Sequence, residues 1–359
     1  MDTQGTDVAA SSAPASAART MGWEVSRRLE AERPSVLARL RPGWREVRAG
    51  VIGMGVFLAL FLVSCWLAGN PFADTQRVPS GVVRAHGWVG TDQWAVFWWV
   101  VAIAVILEFL DASAGMGYGT AITPLLLLLG FDPIQIVPAV MIQQGAAGLL
   151  GAYLHREFGN VEWRFRPMSE TVRLWLIIAG VGCLAVALSI TAVYGVFKVA
   201  KVWINLYVAI LLVVMGLISL IGFKRQREYR PGRMLAFGAV AAFNKGVGGG
   251  GYGPVVTVGG LLAGVPVKSM LAVTSISEGT VCVASVVVWL AMLAQGMVID
   301  FILLPSMLLG SMIAAVFAPY ATRVFPERLW RFVVPVYCCV LAAYAFWKIA
   351  PQVIERLGL

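Results

Sequence analysis

The sequence predicts an all-α, polytopic membrane protein: two inverted-topology repeats, each opening with a Gly-broken helical hairpin, plus one extra N-terminal helix. Three observations predict it. Of 359 residues, 59% are hydrophobic and only 13% are charged, about half the charged share of a soluble domain. Apolar runs recur along nearly the whole chain, with a mean hydropathy of +0.80, as in a protein with many helical spans. Two glycine clusters also recur at matching places in two similar stretches of sequence. A soluble enzyme, a nucleic-acid-binding domain and a secreted disulfide scaffold are excluded, because the chain cannot supply a charged surface.

The remaining composition fits that class. The net charge is +9, but the basic residues sit between apolar runs, so topology explains them better than nucleic acid does. The five cysteines, Cys65, Cys183, Cys282, Cys338 and Cys339, lie inside apolar stretches and make no C-x-x-C. No disulfide framework or zinc site is read from them. With only His86 and His155, a histidine-rich metal site is excluded, and no cofactor is expected.

Residues 1–50 read as a basic, partly disordered cytoplasmic tail: Ala, Ser and Thr up to Thr20, then seven arginines between Arg27 and Arg48 on a surface-lying helix. Ser26-Arg27-Arg28 resembles a twin-arginine signal and Leu62-Val63-Ser64-Cys65 a lipoprotein box. The first lacks an apolar run behind it and the second follows too long a tail, so a first membrane helix is the better reading. That extra helix, Val51 to Ala68, and its loop fill 51–94. The first repeat is placed at 95–230, the second at 231–350 and a short tail at 351–359. Apolar runs follow at 95–110, 118–129, 134–154, 174–194, 202–223, 234–243, 252–263, 270–294, 301–320 and 329–349. About 20 helical residues cross the hydrocarbon core, so the runs at 118–129 and 252–263 are too short to span. Trp94, Phe97, Trp98 and Trp99 read as an interfacial aromatic belt.

The duplication is gap-free. Gly117-Tyr118-Gly119-Thr120 and Gly251-Tyr252-Gly253-Pro254 are 134 positions apart (118 and 252), and the same offset pairs Phe109 with Phe243, Gly115 with Gly249, Thr123 with Thr257, Ile142 with Ile276 and Gly145 with Gly279. Positive residues favour the cytoplasm. Arg156 to Arg173, Lys224 to Arg233 and Arg323 to Arg331 mark inner loops if the N-terminus is inside. The halves are then inverted, as in many secondary transporters.

Each half opens with a helix that runs into a glycine cluster, at 111–120 and 244–253. Glycine costs about 1 kcal/mol per residue in a helix, and unwound backbone in hydrocarbon must lie in protein or line a wet cavity. The expectation is two re-entrant hairpins meeting near the midplane, with full spans as the alternative. Such breaks aim free N–H groups and helix N-termini at one spot, which attracts anions. Close packing is the other use of glycine-rich helices. The expected substrate-binding set is Ser113, Gly115, Gly117, Tyr118, Gly119, Thr120 and Gln144 from the first half. Asn244, Lys245, Gly248, Gly249, Gly250, Gly251, Tyr252, Gly253 and Ser275 come from the second. Lys245 would add a full positive charge or else snorkel to an interface. Glu108, Asp111 and Glu278 are candidate proton carriers, or structural partners of Lys245 and of backbone N–H groups. Gly246-x-Gly248-x-x-Gly251 matches a dinucleotide fingerprint formally, but no strand precedes it.

Gly115-x-Gly117-Tyr118-Gly119-Thr-x-x-Thr123-Pro124 and Gly248-Gly-Gly-Gly-Tyr252-Gly253-Pro254-x-x-Thr257, each opening one of two similar halves, resemble the sulfite exporter TauE/SafE family, the TSUP anion transporters. The resemblance covers about residues 95–350. Thr120 stands where the second half has Pro254, and the basic tail and first helix are an addition. The resemblance implies a carrier in the bacterial inner membrane for sulfite or a small organosulfur anion; with it go the expectations of a cytoplasmic N-terminus from the basic loops, alternating access between the inverted halves, and export, which an inside-negative potential favours. The alternatives are a proton-coupled importer, an anion channel, a non-transporting assembly factor and, last, an intramembrane enzyme, for which no histidine is well placed. The expected partners are a small inorganic or organosulfur anion and membrane lipid, with no nucleic acid. The oligomeric state is open, a homodimer being one option.

Overall fold

The computed structural model describes residues 40–69, 88–91, 94–115, 117–129, 131–196 and 230–324, with scattered positions at 23–35, 203–217 and 336–354. Most of the basic tail, the loop at 70–87, most of the runs at 202–223 and 329–349, and residues 355–359 of the C-terminal tail lie outside the described residues.

The described elements are helix α1 (Trp44–Ala68), a ribbon of β1 (Trp88–Thr91) and β2 (Trp94–Phe97), α2 (Trp98–Ala114), α3 (Tyr118–Leu128), α4 (Pro133–Glu157), α5 (Glu170–Ile190), α6 (Pro231–Gly248), α7 (Tyr252–Leu262), α8 (Val267–Ala294) and α9 (Leu304–Val324). α5 continues through a π-helical turn at Thr191–Val196. α1, α4, α5 with that turn, α8 and α9 are long and apolar enough to cross a membrane. α3 and α7 are 11 residues each, about 16 Å, and do not span.

The ribbon corrects the sequence reading, which ran a loop to Trp94 and began the helix at Ala95. Trp88 to Thr91 pair antiparallel with Trp94 to Phe97, because β-branched and aromatic residues flank a two-residue connection. Phe97 also turns inward rather than toward lipid. It is fully buried, its N–H donates to Ser306 Oγ at 2.8 Å, and its ring meets Phe131 edge-on at 5.7 Å.

The duplication is visible in the element boundaries. Offset by 134, α3 starts at 118 and α7 at 252, and α4 starts at 133 and α8 at 267. α2 ends on Gly115 and α6 on Gly249, both left-handed with φ +72°, the backbone that glycine adopts without penalty. Both short runs belong to hairpins. Phe97, before α2, touches Phe131, after α3, and Phe237 early in α6 lies against Gly259 late in α7.

Packing fixes the directions. α2 runs parallel to α9, with Phe97 on Ser306 at one end and Ser113 on Thr322 at the other. α6 runs parallel to α5, with Ser189 donating to the Phe243 carbonyl and Tyr194 to the Val247 carbonyl. Each hairpin therefore leans on a long helix of the other half. α4 and α8 cross antiparallel at the centre, where Gly145 faces Cys282, Gly148 faces Gly279 and Gly151 faces Ser275. The α2–α3 hairpin enters from the ribbon end. The α6–α7 hairpin enters from the opposite end, where α4 finishes and α5 begins. Called here the basic end, it carries Arg45, Arg48, Arg156, Arg164, Arg173, Arg230, Arg233 and Arg323. α1 packs outside this core on α9 and α4, with Gly53 against Val316 and Leu150, and turns Val51, Leu58 and Leu62 outward.

Candidate functional site

The two glycine breaks meet, backbone against backbone. A Cβ on Gly119 would fall on the Gly249 carbonyl, and one on Gly250 would sit 2.7 Å from the Gly119 carbonyl. Real Cβ atoms do not approach that closely, so glycine is required here by the chain crossing it. Close packing, named above as the rival use of these glycines, is thus what Gly119, Gly249 and Gly250 do in this conformation.

The breaks are also shorter than the sequence implied. Asp111 and Ser113 remain in α2, while Asn244, Lys245, Gly246 and Gly248 remain in α6. Gly115 N–H bonds the Asp111 carbonyl at 2.7 Å and Gly249 N–H the Lys245 carbonyl at 2.8 Å, so the last helical turns survive their glycines. Among the described residues the interruption itself is Gly115 and Gly117 in one half and Gly249 to Gly251 in the other.

Two of the N–H groups at the tips find side-chain partners within the chain. Tyr118 N–H, at the start of α3, donates to Asp111 Oδ1 at 3.2 Å. Gly251 N–H, at the start of α7, donates to Thr120 Oγ1 of the other hairpin at 3.0 Å. Thr257 Oγ1 donates to the Gly115 carbonyl at 2.7 Å and meets Thr274 Oγ1 at 3.0 Å. A carboxylate at a helix N-terminus is electrostatically favoured, and Asp111 holds that position at α3.

Between the hairpins and the α4–α8 crossing runs a chain of four polar side chains. Gln144 Nε2 donates to Asp111 Oδ2 at 2.8 Å. Lys245 Nζ donates to Gln144 Oε1 and to Glu278 Oε1 at 2.6 Å. Asp111 and Lys245 are equivalent positions of the duplication (111 and 245), and so are Gln144 and Glu278 (144 and 278). Each half thus pairs a residue of its hairpin helix with one of its central helix: Asp111 with Gln144, and Lys245 with Glu278. The Gln144–Lys245 bond joins the halves. Glu108 extends the cluster on α2; Gln143 Nε2 donates to its Oε2 at 2.7 Å and to Ser311 Oγ at 2.7 Å.

A cavity offering about 20 Å³ to water-sized spheres opens beside these four, room for about one water. Glu108, Asp111, Gln144, Thr274, Ser275 and Glu278 line it with Ala112, Gly115, Ala147, Gly148 and Leu271. It lies between the polar chain and the basic end, since α4 continues past Gly148 to that end and α8 starts from it.

Of the expected site residues, Asp111, Glu108, Gln144, Ser275, Glu278 and Gly115 line the cavity, and Lys245 bonds two of them. Gly117, Tyr118, Gly119, Thr120, Gly249, Gly250, Gly251, Tyr252 and Gly253 form the buried tips. Gly248 is buried in the last turn of α6. Ser113 instead turns its hydroxyl back to the Phe109 carbonyl in its own helix, and Asn244 accepts a bond from Tyr207. Thr274, Ala147, Gly148 and Leu271 were not anticipated. Thr274 and Ser275 are one step apart on α8, so the polar pair was the available signal. Ala147 and Gly148 matter through their small size, which leaves space that only packing can reveal. Among the described residues no group of three or more His, Cys, Asp or Glu could hold a metal ion.

The family profile described as Sulfite exporter TauE/SafE matches residues 100–345. The chain is also similar to the protein named "Probable membrane transporter protein YtnM" of Bacillus subtilis (strain 168): 27% identical over 239 residues, which cover 63% of this chain and 75% of that one. No solved structure matches the chain.

Proposed function

Because the chain belongs to the sulfite exporter TauE/SafE family, a family of membrane transporters, we propose that it moves sulfite or a small organosulfur anion out across the bacterial inner membrane by alternating access. The observation that carries this reading is Lys245: an ammonium buried beside a cavity and bonded to both halves. Ionisable residues at membrane depth are costly and persist where they serve a path or a site.

In this mechanism an oxyanion reaches the cavity from the basic end and takes the Lys245 ammonium, displacing the Gln144 carbonyl oxygen. The hydroxyls of Thr274 and Ser275 offer further donors. Breaking the Gln144–Lys245 bond separates the halves, which rock about the α4–α8 crossing as inverted-topology repeats do. The basic end faces the cytoplasm in this reading, because positive residues favour that side. An inside-negative potential then favours anion exit by about 2.3 kcal/mol per charge per 100 mV, so export needs no coupling ion.

A second reading is favoured by the three carboxyl groups around one ammonium. An anion approaching Glu108, Asp111 and Glu278 is repelled unless protons come with it, which would suit a proton-coupled importer with those residues as carriers. Reconstituted protein separates the two. Export driven by potential alone gives sulfite efflux that follows an imposed voltage at equal pH. Proton coupling gives uptake that needs a pH gradient and ignores valinomycin-clamped voltage. Lys245→Ala abolishes flux under either reading; wild-type flux in that variant would overturn the role of Lys245.

A further inference from the structure

The duplication assigns a partner to the cavity. Shifting its lining by 134 positions gives the equivalent place on the other face of the polar chain, toward the ribbon end. There Leu271, Thr274 and Ser275 become Val137, Val140 and Met141, and Ala147 and Gly148 become Val281 and Cys282. Thr274, Ser275, Ala147 and Gly148 thus give way to larger or apolar residues, while Gly115 stays glycine as Gly249, Ala112 becomes Gly246, Glu108 becomes Ala242, and the polar chain maps onto itself. The five replacements are at most 1% exposed. Two of them touch, Cys282 Sγ lying 4.0 Å from Met141 Sδ; Val140 lies 3.5 Å from the Cβ position of Gly249, and Val281 lies 2.6 Å from that of Gly182. One symmetric position is a polar cavity; the other is lined by buried apolar side chains.

We infer that Val137, Val140, Met141, Val281 and Cys282 form the gate on the ribbon side of the translocation path, closed here by apolar packing. The inference rests on the transport reading for the direction of movement and on the packing alone for the gate. A short apolar constriction excludes water and with it any hydrated anion. No charged group of the gate has to be neutralised for it to open. It opens when α4 and α8 shift at their glycine crossing, and it recloses by burying the same side chains. The polar chain of Asp111, Gln144, Lys245 and Glu278 then sits between two unlike doors. The basic-end door is a small polar cavity, and the ribbon-end door is a hydrophobic seal that sets the rate of release.

Thiol accessibility tests this in the full chain, in right-side-out and inverted vesicles, using a charged, membrane-impermeant methanethiosulfonate. One variant keeps Cys282 as its cysteine, with Cys65, Cys183, Cys338 and Cys339 changed to Ser. A second carries Ser275→Cys with Cys282→Ala on the same background. Ser275→Cys is expected to react from the basic end. Cys282 is expected to resist the reagent from both sides until Met141→Ala opens a hole larger than a water molecule, which raises its rate from the ribbon end by about tenfold or more. Reaction of Cys282 from the basic end, or unprovoked reaction from the ribbon end as fast as that of Ser275→Cys, overturns the gate. Fluorescence-detected size-exclusion profiles confirm that each variant is folded. Labelling needs no transport, so absence of wild-type anion flux would sink the transport reading while the labelling pattern still decides the gate.

Discussion

Lys245 and Glu278 hold one another in place, and their energetics follow from burial. The pair is 2.6 Å apart, with side chains 1% and 9% exposed. Removing one member of a buried pair strands the other charge and costs about 3–5 kcal/mol, whereas replacing both with uncharged groups of similar volume is near neutral. Lys245→Met should therefore lower thermal stability sharply, and Lys245→Met with Glu278→Gln should recover most of it while flux stays lost. A melting temperature equally depressed in the double variant would show that the charges matter to more than each other. The glycines divide just as clearly. Gly250→Ala drives a methyl onto the Gly119 and Thr120 backbone at 2.7 Å, and overpacking of this kind costs about 1–3 kcal/mol or more. Gly180→Ala meets nothing within 4 Å in the middle of α5 and should stabilise by about 0.5–1 kcal/mol. Parallel melts of the two variants in detergent check the contrast.

At the level of elements, the α4–α8 crossing governs whether the halves can move. α4 starts with a capping box at Asp132 and Gln135 and a Pro at its first turn, so its ribbon end is anchored. Its middle is stripped to Gly145, Ala147, Gly148 and Gly151, which lets α8 approach until Gly148 and Gly279 are in backbone contact. Small-residue stripes are the usual means of close helix contact in lipid, where no hydrophobic effect drives helices together. Gly148→Val should push α8 away and abolish flux, while Leu184→Ala, on α5 and 70% exposed, should leave flux within about twofold of wild type, as surface changes do. Equal loss in both would mean that the crossing is not the pivot.

Over the whole molecule, α1 and the segment before it tie the two halves together at the basic end. Arg45 pairs with Glu157 of α4 at 3.3 Å, and Glu46 with Arg323 of α9 at 2.8 Å. Tyr320 of α9 donates to the Leu40 carbonyl at 2.6 Å. The Arg45 pair is 72% exposed on its basic side and contributes little, as exposed pairs do; the Glu46–Arg323 pair is mostly covered. Glu46→Ala should therefore speed anion flux by loosening the tie, at low and high salt alike, because a mostly covered pair is little screened. Liposome flux measured at two ionic strengths checks it, and a variant indistinguishable from wild type at both would leave α1 as a passive neighbour.

Sequence alone determined the class, the duplication and the hairpins. Those follow from composition, from helix length against bilayer thickness, and from residue identities repeating at one offset, all of which are local or periodic properties. The extents of α3 and α7 were legible to within a residue or two, because short apolar runs behind a glycine cluster have few other physical explanations; that the helices before them end only at the left-handed Gly115 and Gly249 was not. The tertiary structure decided what the polar residues do. Sequence places Asp111, Gln144, Lys245 and Glu278 at equivalent positions of two halves, but only packing makes them one chain, with Asp111 seated at the α3 N-terminus where an external anion had been expected. The cavity behind them depends on which helix faces are small at a crossing, and its dry twin depends on which are large. Both depend on distances between segments more than a hundred residues apart, which no local pattern encodes.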